Sequence, residues 1–402
     1  MDNKNTNIVV DLGSNEVKCT LFKNDNNINT IVASSKIKTS GISNSIITNF
    51  EDASNSIKNI ISDLENKVNL DIDSVTVLID PTKIITTSLT NLKNMNGDKI
   101  ETSDIDFLLR ESKKQLEKND DRLTQIHMFN HKYILDNNLY KNLPINISCD
   151  QLRLENIFVS VPKNIIKNIT NVFDSCNIRI NKFISSTYAN GLYLFNENQL
   201  EDGCVIVDIG FEKTSIALFK NSSLLKIVAF PIGSNHISKD ISKICYLKID
   251  EAEKIKIDLS LEKNQDEYLS EKYFNESNFR KIPIKLIKDI IHSRIQEIFN
   301  LVKKSIDGVN ETFIDKNNFL LVGNGSKILD LANNLNLVLF NNLFTNQSSI
   351  SSHLENDNYL NCISGQNLFI NGWSKEAVAL PMKDIKKGQT PKVNLNPDKS
   401  SR

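Results

Sequence analysis

Apolar positions along the chain alternate between the two-residue period of a strand and the three-to-four-residue period of a helix. Residues 8–10 are a β-branched run that ends in Asp11-Leu12-Gly13, and after a tight turn a second strand-like run leads to Leu21-Phe22-Lys23. Ile57, Ile60, Ile61, Leu64 and Val68 recur at helical steps in residues 51–68 and predict a helix with one buried face, followed by a strand over 75–79. Ile287, Ile291, Ile295, Ile298 and Val302 predict a second such helix. Strands and helices alternate around these segments, which is the pattern of an α/β protein. Residues 81–157 interrupt the alternation with a helix-like stretch at 104–118 and an alternating, strand-like stretch at 125–135.

The opening hairpin recurs. Residues 10–23 and 207–220, offset by 197, share six of fourteen positions: the Val-Asp-x-Gly core and a Leu-Phe-Lys tail. One copy alone reads equally well as an ordinary hairpin. Two copies about half a chain apart predict a duplicated unit. In each, the turn aims backbone N–H groups at one point and so makes an anion-binding concavity. The aspartate at the strand end suits Mg²⁺, which keeps much of its water, and the glycine lets backbone approach a phosphate closely. The Walker pattern G-x-x-x-x-G-K-[ST] is absent. A third element, residues 319–328, runs from an apolar strand into Gly323-Asn324-Gly325-Ser326, with an amphipathic continuation through Ile328, Leu329 and Leu331.

Composition narrows the function class. At 402 residues several domains are expected. Lysine and arginine total 48 against 49 acids, which removes the basic excess of a general nucleic-acid binder. Six cysteines stand far apart with no C-x-x-C pair, as in a reducing cytosol. No apolar run nears the ~20 residues of a membrane span, and no signal-peptide pattern opens the chain, so a cytoplasmic protein is expected. Only 13 glycines occur, about half the usual ~7%. Five of them lie in or beside the three glycine elements: Gly13, Gly210, Gly233, Gly323 and Gly325.

The order of these elements resembles the actin, sugar-kinase and heat-shock-chaperone superfamily. Within it, residues from about 8 to 381 are similar to the bacterial cell-division FtsA family. The resemblance is carried by Gly41-Ile42-Ser43-Asn44-Ser45-Ile46-Ile47, by Tyr133-Ile134-Leu135-Asp136-Asn137 with Leu152-Arg153-Leu154-Glu155-Asn156, and by Ser186-Thr187-Tyr188-Ala189-Asn190-Gly191. Pro231-Ile232-Gly233-Ser234, Glu251-Ala252-Glu253-Lys254-Ile255-Lys256 and Ile290-Ile291-His292-Ser293-Arg294 extend it. It implies a two-lobed actin-like fold, a duplicated ribonuclease H-like α/β unit with an inserted α+β subdomain. The implied divisions are 1–80 and 158–200 (first half), 81–157 (insertion), 201–235 (second half with its hairpin), 236–303 (lower subdomain), 304–360 (adenosine motif), 361–382 (return to the first half) and 383–402 (flexible tail). The implied cofactors are ATP and Mg²⁺. Asp11 and Asp208 would organise the metal, directly or through water. Gly13, Ser14, Asn15, Gly210, Lys213 and Gly233 would lie at the phosphates, and Lys254, Gly323, Asn324, Gly325 and Ser326 at the adenosine. No residue stands out as a catalytic base, so at most weak ATPase activity is expected of a scaffold. The implied partners are FtsZ, further copies of the chain in a head-to-tail filament, later division proteins on residues 81–157, and the inner membrane surface at the division site.

Departures from the family pattern modify this picture. Where the family has Asp-Ile-Gly-Gly-Gly-Thr, this chain has Asp208-Ile209-Gly210-Phe211-Glu212-Lys213, and second glycines are missing at Ser234 and Asn324. Glu16 stands where the family often has lysine. An added carboxylate repels polyphosphate and Lys213 offsets it in part, so weakened nucleotide binding is expected. Residues 383–402 hold two prolines, one glycine and no apolar face, so membrane attachment is expected to be weak or to use a partner. His127 and His131, four apart in a strand-like setting, read as surface residues rather than a metal pair. A pilus-assembly scaffold of the PilM type and a small-molecule kinase of the same superfamily are the alternatives.

Overall fold

The computed structural model describes residues 6–25, 28–261, 267–306, 318–328 and 357–377. The chain divides into two compact units, one from residues 1–204, 217–228 and 359–402, the other from 205–216 and 229–358.

The first unit opens with a meander of β1 (Thr6–Leu12), β2 (Glu16–Asp25) and β3 (Ile28–Lys38), each antiparallel to the next. A two-residue-strand hairpin follows, β4 (Ile42–Ser43) with β5 (Ile46–Ile47), then helix α1 (Phe50–Val68) and strand β6 (Ser74–Leu78), which returns parallel to β1. Helix α1 begins where the Asn49 side chain accepts the Asp52 N–H at 3.2 Å, and it ends on Asn69 in the left-handed region, φ 52°. Its predicted stripe is buried at Ile57, Ile60, Ile61 and Leu64. Burying those four against the sheet contributes on the order of 1.5–3 kcal/mol each, which outweighs the weak helix propensity of β-branched isoleucine.

The insertion is a second sheet. Strand β7 (Ile85–Asn94), helix α2 (Thr102–Asn119), β8 (Leu123–Leu135), β9 (Asn138–Tyr140) and β10 (Gln151–Pro162) give the strand order β7-β10-β8-β9, all antiparallel. Helix α2 lays Ile105, Leu108, Leu109 and Leu116 onto Leu152, Leu154 and Phe158. Strand β10 runs through Pro162, past residue 157 where the sequence suggested the insertion ends. Helix α3 (Lys163–Ser175) then leads into β11 (Arg179–Ile184), parallel to β6, and the first sheet is complete as β11-β6-β1-β2-β3. Helices α4 (Ser186–Leu194) and α5 (Glu197–Asp202) close this part.

The second copy of the hairpin is β12 (Cys204–Ile209) and β13 (Thr214–Lys220), continued by β14 (Ser223–Phe230). Helices α6 (Ser234–Cys245), α7 (Ile249–Leu261) and α8 (Ile284–Ile306) precede β15 (Phe319–Val322), which pairs parallel with β12. The sheet order β14-β13-β12-β15 repeats β3-β2-β1-β6 of the first sheet, so the duplication seen in fourteen residues extends to topology. The predicted face of α8 is buried at Ile287, Ile291, Ile295, Ile298 and Val302. At the start of α7, Glu251 accepts the N–H groups of Lys248, Glu276 and Ser277 together with the Ser277 hydroxyl. Those bonds outweigh burial and bring its pKa down to about 2. Helix α9 (Leu360–Asn371) belongs to the first unit.

The histidine expectation is corrected here. His127 and His131 are both buried on β8, at 0% and 7% exposure. Residues 375–377 form a strap along the β8 edge: Asn130 N–H donates to Lys375 O and Ala377 N–H to Met128 O, each at 2.8 Å. The strap carries Glu376 inward, where Oε1 lies 2.8 Å from His127 Nδ1 and 3.7 Å from Lys182 Nζ. The other imidazole nitrogen, Nε2, accepts the Ser185 N–H at 3.0 Å, so the proton of neutral His127 sits on Nδ1 and is donated to Glu376. Burial raises the Glu376 pKa, but His127, Lys182 and the Tyr188 hydroxyl more than reverse this and keep it below the ordinary value. The partners are 249 residues away in sequence, out of reach of any local pattern.

His131 bonds Ser223 Oγ at 2.9 Å. Burial, with some help from Lys132, lowers its pKa to about 4. Above about pH 6.5 both folded and unfolded chains hold this imidazole neutral. Between about 6.5 and 4 only the unfolded chain takes the proton, so acid destabilises the fold across that interval, by about 3 kcal/mol. Melting midpoints measured from pH 7.5 to 4 are expected to fall more steeply for the wild type than for His131→Gln, which keeps a partner for Ser223 and does not titrate.

Candidate functional site

Asp11 is the second-last residue of β1, level with Leu78 of β6, and Asp208 is the second-last residue of β12, level with Val322 of β15. The two aspartates therefore hold equivalent places in two equivalent sheets. Each is half-buried.

The first turn is braced from outside. The Thr39 hydroxyl donates to Gly13 O at 2.8 Å and its N–H to Asn15 O at 2.9 Å. The Asn44 N–H donates to Ser14 Oγ at 2.9 Å, and the Ser45 hydroxyl to Leu12 O at 3.4 Å. Carbonyls and a hydroxyl take up the bracing bonds. The structure thus groups Asp11, Gly13, Ser14 and Asn15 on one turn, with Asp11 Oδ2 accepting the Asn361 amide at 2.9 Å.

The second turn is braced by the helix that follows β14. Ser234 N–H donates to Gly210 O at 2.9 Å and Asn235 N–H to Phe211 O at 2.8 Å, while Gly210 N–H donates to Lys213 O at 2.9 Å. Gly233 sits so tightly on this turn that a Cβ there would lie 2.6 Å from both Gly210 O and Phe211 O. Its N–H points to His236 Nδ1 at 3.2 Å, and burial lowers the His236 pKa. Four backbone donors beside the turn therefore already have acceptors within the protein. Phe211, Glu212 and Lys213 are all half-buried on the turn.

Gly323 closes the β12 side. Its backbone lies at φ 84°, ψ 161°, a region essentially reserved for glycine, and a Cβ there would strike Asp208 Oδ1 and lie 2.6 Å from Ile209 O. The chain then turns through a short 3₁₀ helix, Asn324–Lys327, with Asn324 exposed and Gly325 and Ser326 buried against the end of β12. Leu329 and Leu331 lie outside the described residues. Lys254 is exposed on α7, whereas Lys256, two residues on, is buried. Its Nζ donates to Ser234 O at 3.1 Å and pairs with Glu253 at 2.7 Å, and burial lowers its pKa despite that partner. The one-in-three spacing of Glu253 and Lys256 was the available signal for this pair. Asp208, Gly210, Lys213, Gly233, Gly323, Asn324, Gly325 and Ser326 thus cluster at one end of the second unit's sheet, and Lys254 stands apart from the Lys256 contact. Among the described residues no group of three or more His, Cys, Asp or Glu is arranged as a metal cage.

This arrangement is an actin-like fold. The fold is shared with the PilM–PilN type IV pilus biogenesis complex (TM-score 0.61, 12% identity, 90% of this chain and 98% of that one). It is shared too with MreB 5 of Spiroplasma citri, crystallised with AMPPNP (TM-score 0.51, 16% identity, 92% and 97%). At the level of sequence, the profile of the family described as cell division protein FtsA matches residues 205–363. The cell division protein FtsA of Neisseria meningitidis serogroup B is 25% identical over 300 residues, 73% of this chain and 72% of that protein. That of Buchnera aphidicola subsp. Baizongia pistaciae is 24% identical over 317 residues, 78% and 75%. The resemblance to FtsA drawn from the motifs is borne out.

Proposed function

We propose that this chain is an FtsA-type division scaffold: it binds ATP with Mg²⁺, self-assembles head to tail, and links FtsZ to the membrane surface and to later division proteins. The observation that supports this most is the paired aspartates at equivalent strand ends, each beside a glycine turn, with Gly323 leaving room at the Asp208 carboxylate. Those residues suit a hydrated divalent cation and a polyphosphate, which prefer carboxylates and backbone donors over a full protein cage. A bound nucleotide–metal group would supply negative charge for those donors and a cation for Asp11 and Asp208. Gly13, Ser14, Asn15 and Gly210 would face phosphates, Lys213 would add a point charge, and Gly323–Ser326 with Lys254 would border the adenosine. The internal acceptors of the second turn and the carboxylate of Glu212 favour weak binding.

A head-to-tail filament requires two different surfaces of one chain, a heterologous interface that does not close. Residues 81–157 would carry the docking site for later division proteins. Among the described residues no helix is long and apolar enough to cross a membrane, so the membrane would be met peripherally. Residues 383–402, which bear on that step, lie outside the described residues. The pilus-scaffold alternative has support from fold alone, while sequence likeness runs to FtsA over about three-quarters of the chain. Co-sedimentation with polymerised FtsZ from the same organism tests the reading. The expected result is pelleting of the full chain with FtsZ polymers and not with a pilus membrane partner. Failure to pellet with FtsZ at ten times the concentration of an FtsA control would contradict it.

A further inference from the structure

We infer that Asn361 is a positioning residue that fixes the orientation of the Asp11 carboxylate, and that the amide of Asn190 decides which way Asn361 points. The inference rests on the reading of Asp11 as a cation-organising residue.

The chain of bonds runs from β1 through α9 to α4. Asn361 Nδ2 lies 2.9 Å from Asp11 Oδ2, Asn190 Nδ2 lies 2.7 Å from Asn361 Oδ1, and the Ser364 hydroxyl lies 2.5 Å from Asn190 Oδ1. An ionised carboxylate only accepts, so the Asn361 atom turned to Asp11 has to be the amide nitrogen. Its oxygen then faces Asn190, which has to present nitrogen in turn. The Asn190 oxygen is left for Ser364, whose hydroxyl also reaches Asn361 O at 3.0 Å. One negative charge thus sets the direction of every donor in the series. Asn190 and Ser364 are 0% and 1% exposed, so water does not compete for these atoms. With Oδ2 tied, the Asp11 carboxylate plane cannot turn freely about its last torsion.

The aspartate of the second half lies against glycine. Asp208 abuts Gly323, where a Cβ would strike its carboxylate.

The series makes a test that leaves Asp11 and Asn361 in place. In Asn190→Asp the new carboxylate accepts only, so it draws Nδ2 of Asn361 to itself, turns the amide over and presents Oδ1 to Asp11. Asn361→Ala removes the donor outright at a half-buried position. ATP binding to the full chain is measured by calorimetry in Mg²⁺ and in EDTA for wild type, Asp11→Asn, Asn361→Ala and Asn190→Asp, alongside melting midpoints. The expected result is a loss of about five- to tenfold in the Mg²⁺ titration for both asparagine variants, with affinity in EDTA within about twofold of wild type. If wild type binds in a Mg²⁺-dependent way that Asp11→Asn removes, while Asn361→Ala leaves it unchanged, the inference fails and the nucleotide reading stands. An equal loss with and without Mg²⁺ marks a merely structural role and also overturns it. Absence of Mg²⁺-dependent binding in wild type overturns the nucleotide reading and the inference with it.

Discussion

Asp80→Ala is expected to lower the stability of the first unit by about 4 kcal/mol and its melting midpoint by roughly 10 °C. Asp80 ends the segment that leaves β6, is wholly buried, and receives four donors: the hydroxyls of Ser185 (2.5 Å), Ser186 (2.6 Å) and Thr187 (2.7 Å), and the Thr187 N–H (2.8 Å). The last belongs to the first turn of α4, where N–H groups lack intrahelical partners and a negative charge is favoured. Alanine leaves these groups buried without an acceptor, each at about 1 kcal/mol or more. Asp80→Asn keeps one acceptor oxygen and lets the hydroxyls turn toward its amide, so about half the loss is expected. Differential scanning calorimetry checks both. A midpoint for Asp80→Ala within 2 °C of wild type would refute the account of this cluster.

Gly323→Ala should have the second large effect, and a functional one. The φ 84°, ψ 161° backbone costs an L-residue about 1–3 kcal/mol, and the new methyl would strike the Asp208 carboxylate. Either β15 moves off β12 or Asp208 turns away, so a loss of about 3 kcal/mol in stability is expected together with loss of Mg²⁺-dependent ATP binding. Asn324→Gly is expected to change neither, because Asn324 is exposed and its side chain fills no space the site needs. Melting and ATP titration of the two variants separate these cases. Equal behaviour of Gly323→Ala and wild type would mean that Gly323 does not constrain Asp208.

Elements whose information is local were readable in the chain. The isoleucine stripes of α1 and α8 repeat every three or four residues and became buried faces. The two Asp-x-Gly turns, matched along fourteen positions, led to two sheets of the same strand order. What was not readable depends on contacts between distant residues. His127 and His131 look like an exposed strand pattern until Glu376 and Ser223 arrive from 249 and 92 residues away. Asp80 gains its meaning only when α4 brings three hydroxyls to it, and Asn361 only when α9 lies beside β1. Lys254 and Lys256 are two apart in the same run, and only the helical phase of α7 leaves the first exposed and buries the second.

The proposal stands or falls on whether Asp11 and Asp208 each contribute to nucleotide binding, weakened by Glu212 and by the internal bonds of Gly210, Gly233, Ser234 and Asn235 beside the second turn. The most direct measurement is titration of ATP into the full chain in Mg²⁺, repeated with Asp11→Asn/Asp208→Asn. The expected dissociation constant lies in the micromolar range or weaker, and binding is lost in the double variant. Submicromolar binding with sustained turnover would contradict the weakening, and binding indifferent to the double substitution would contradict the site itself.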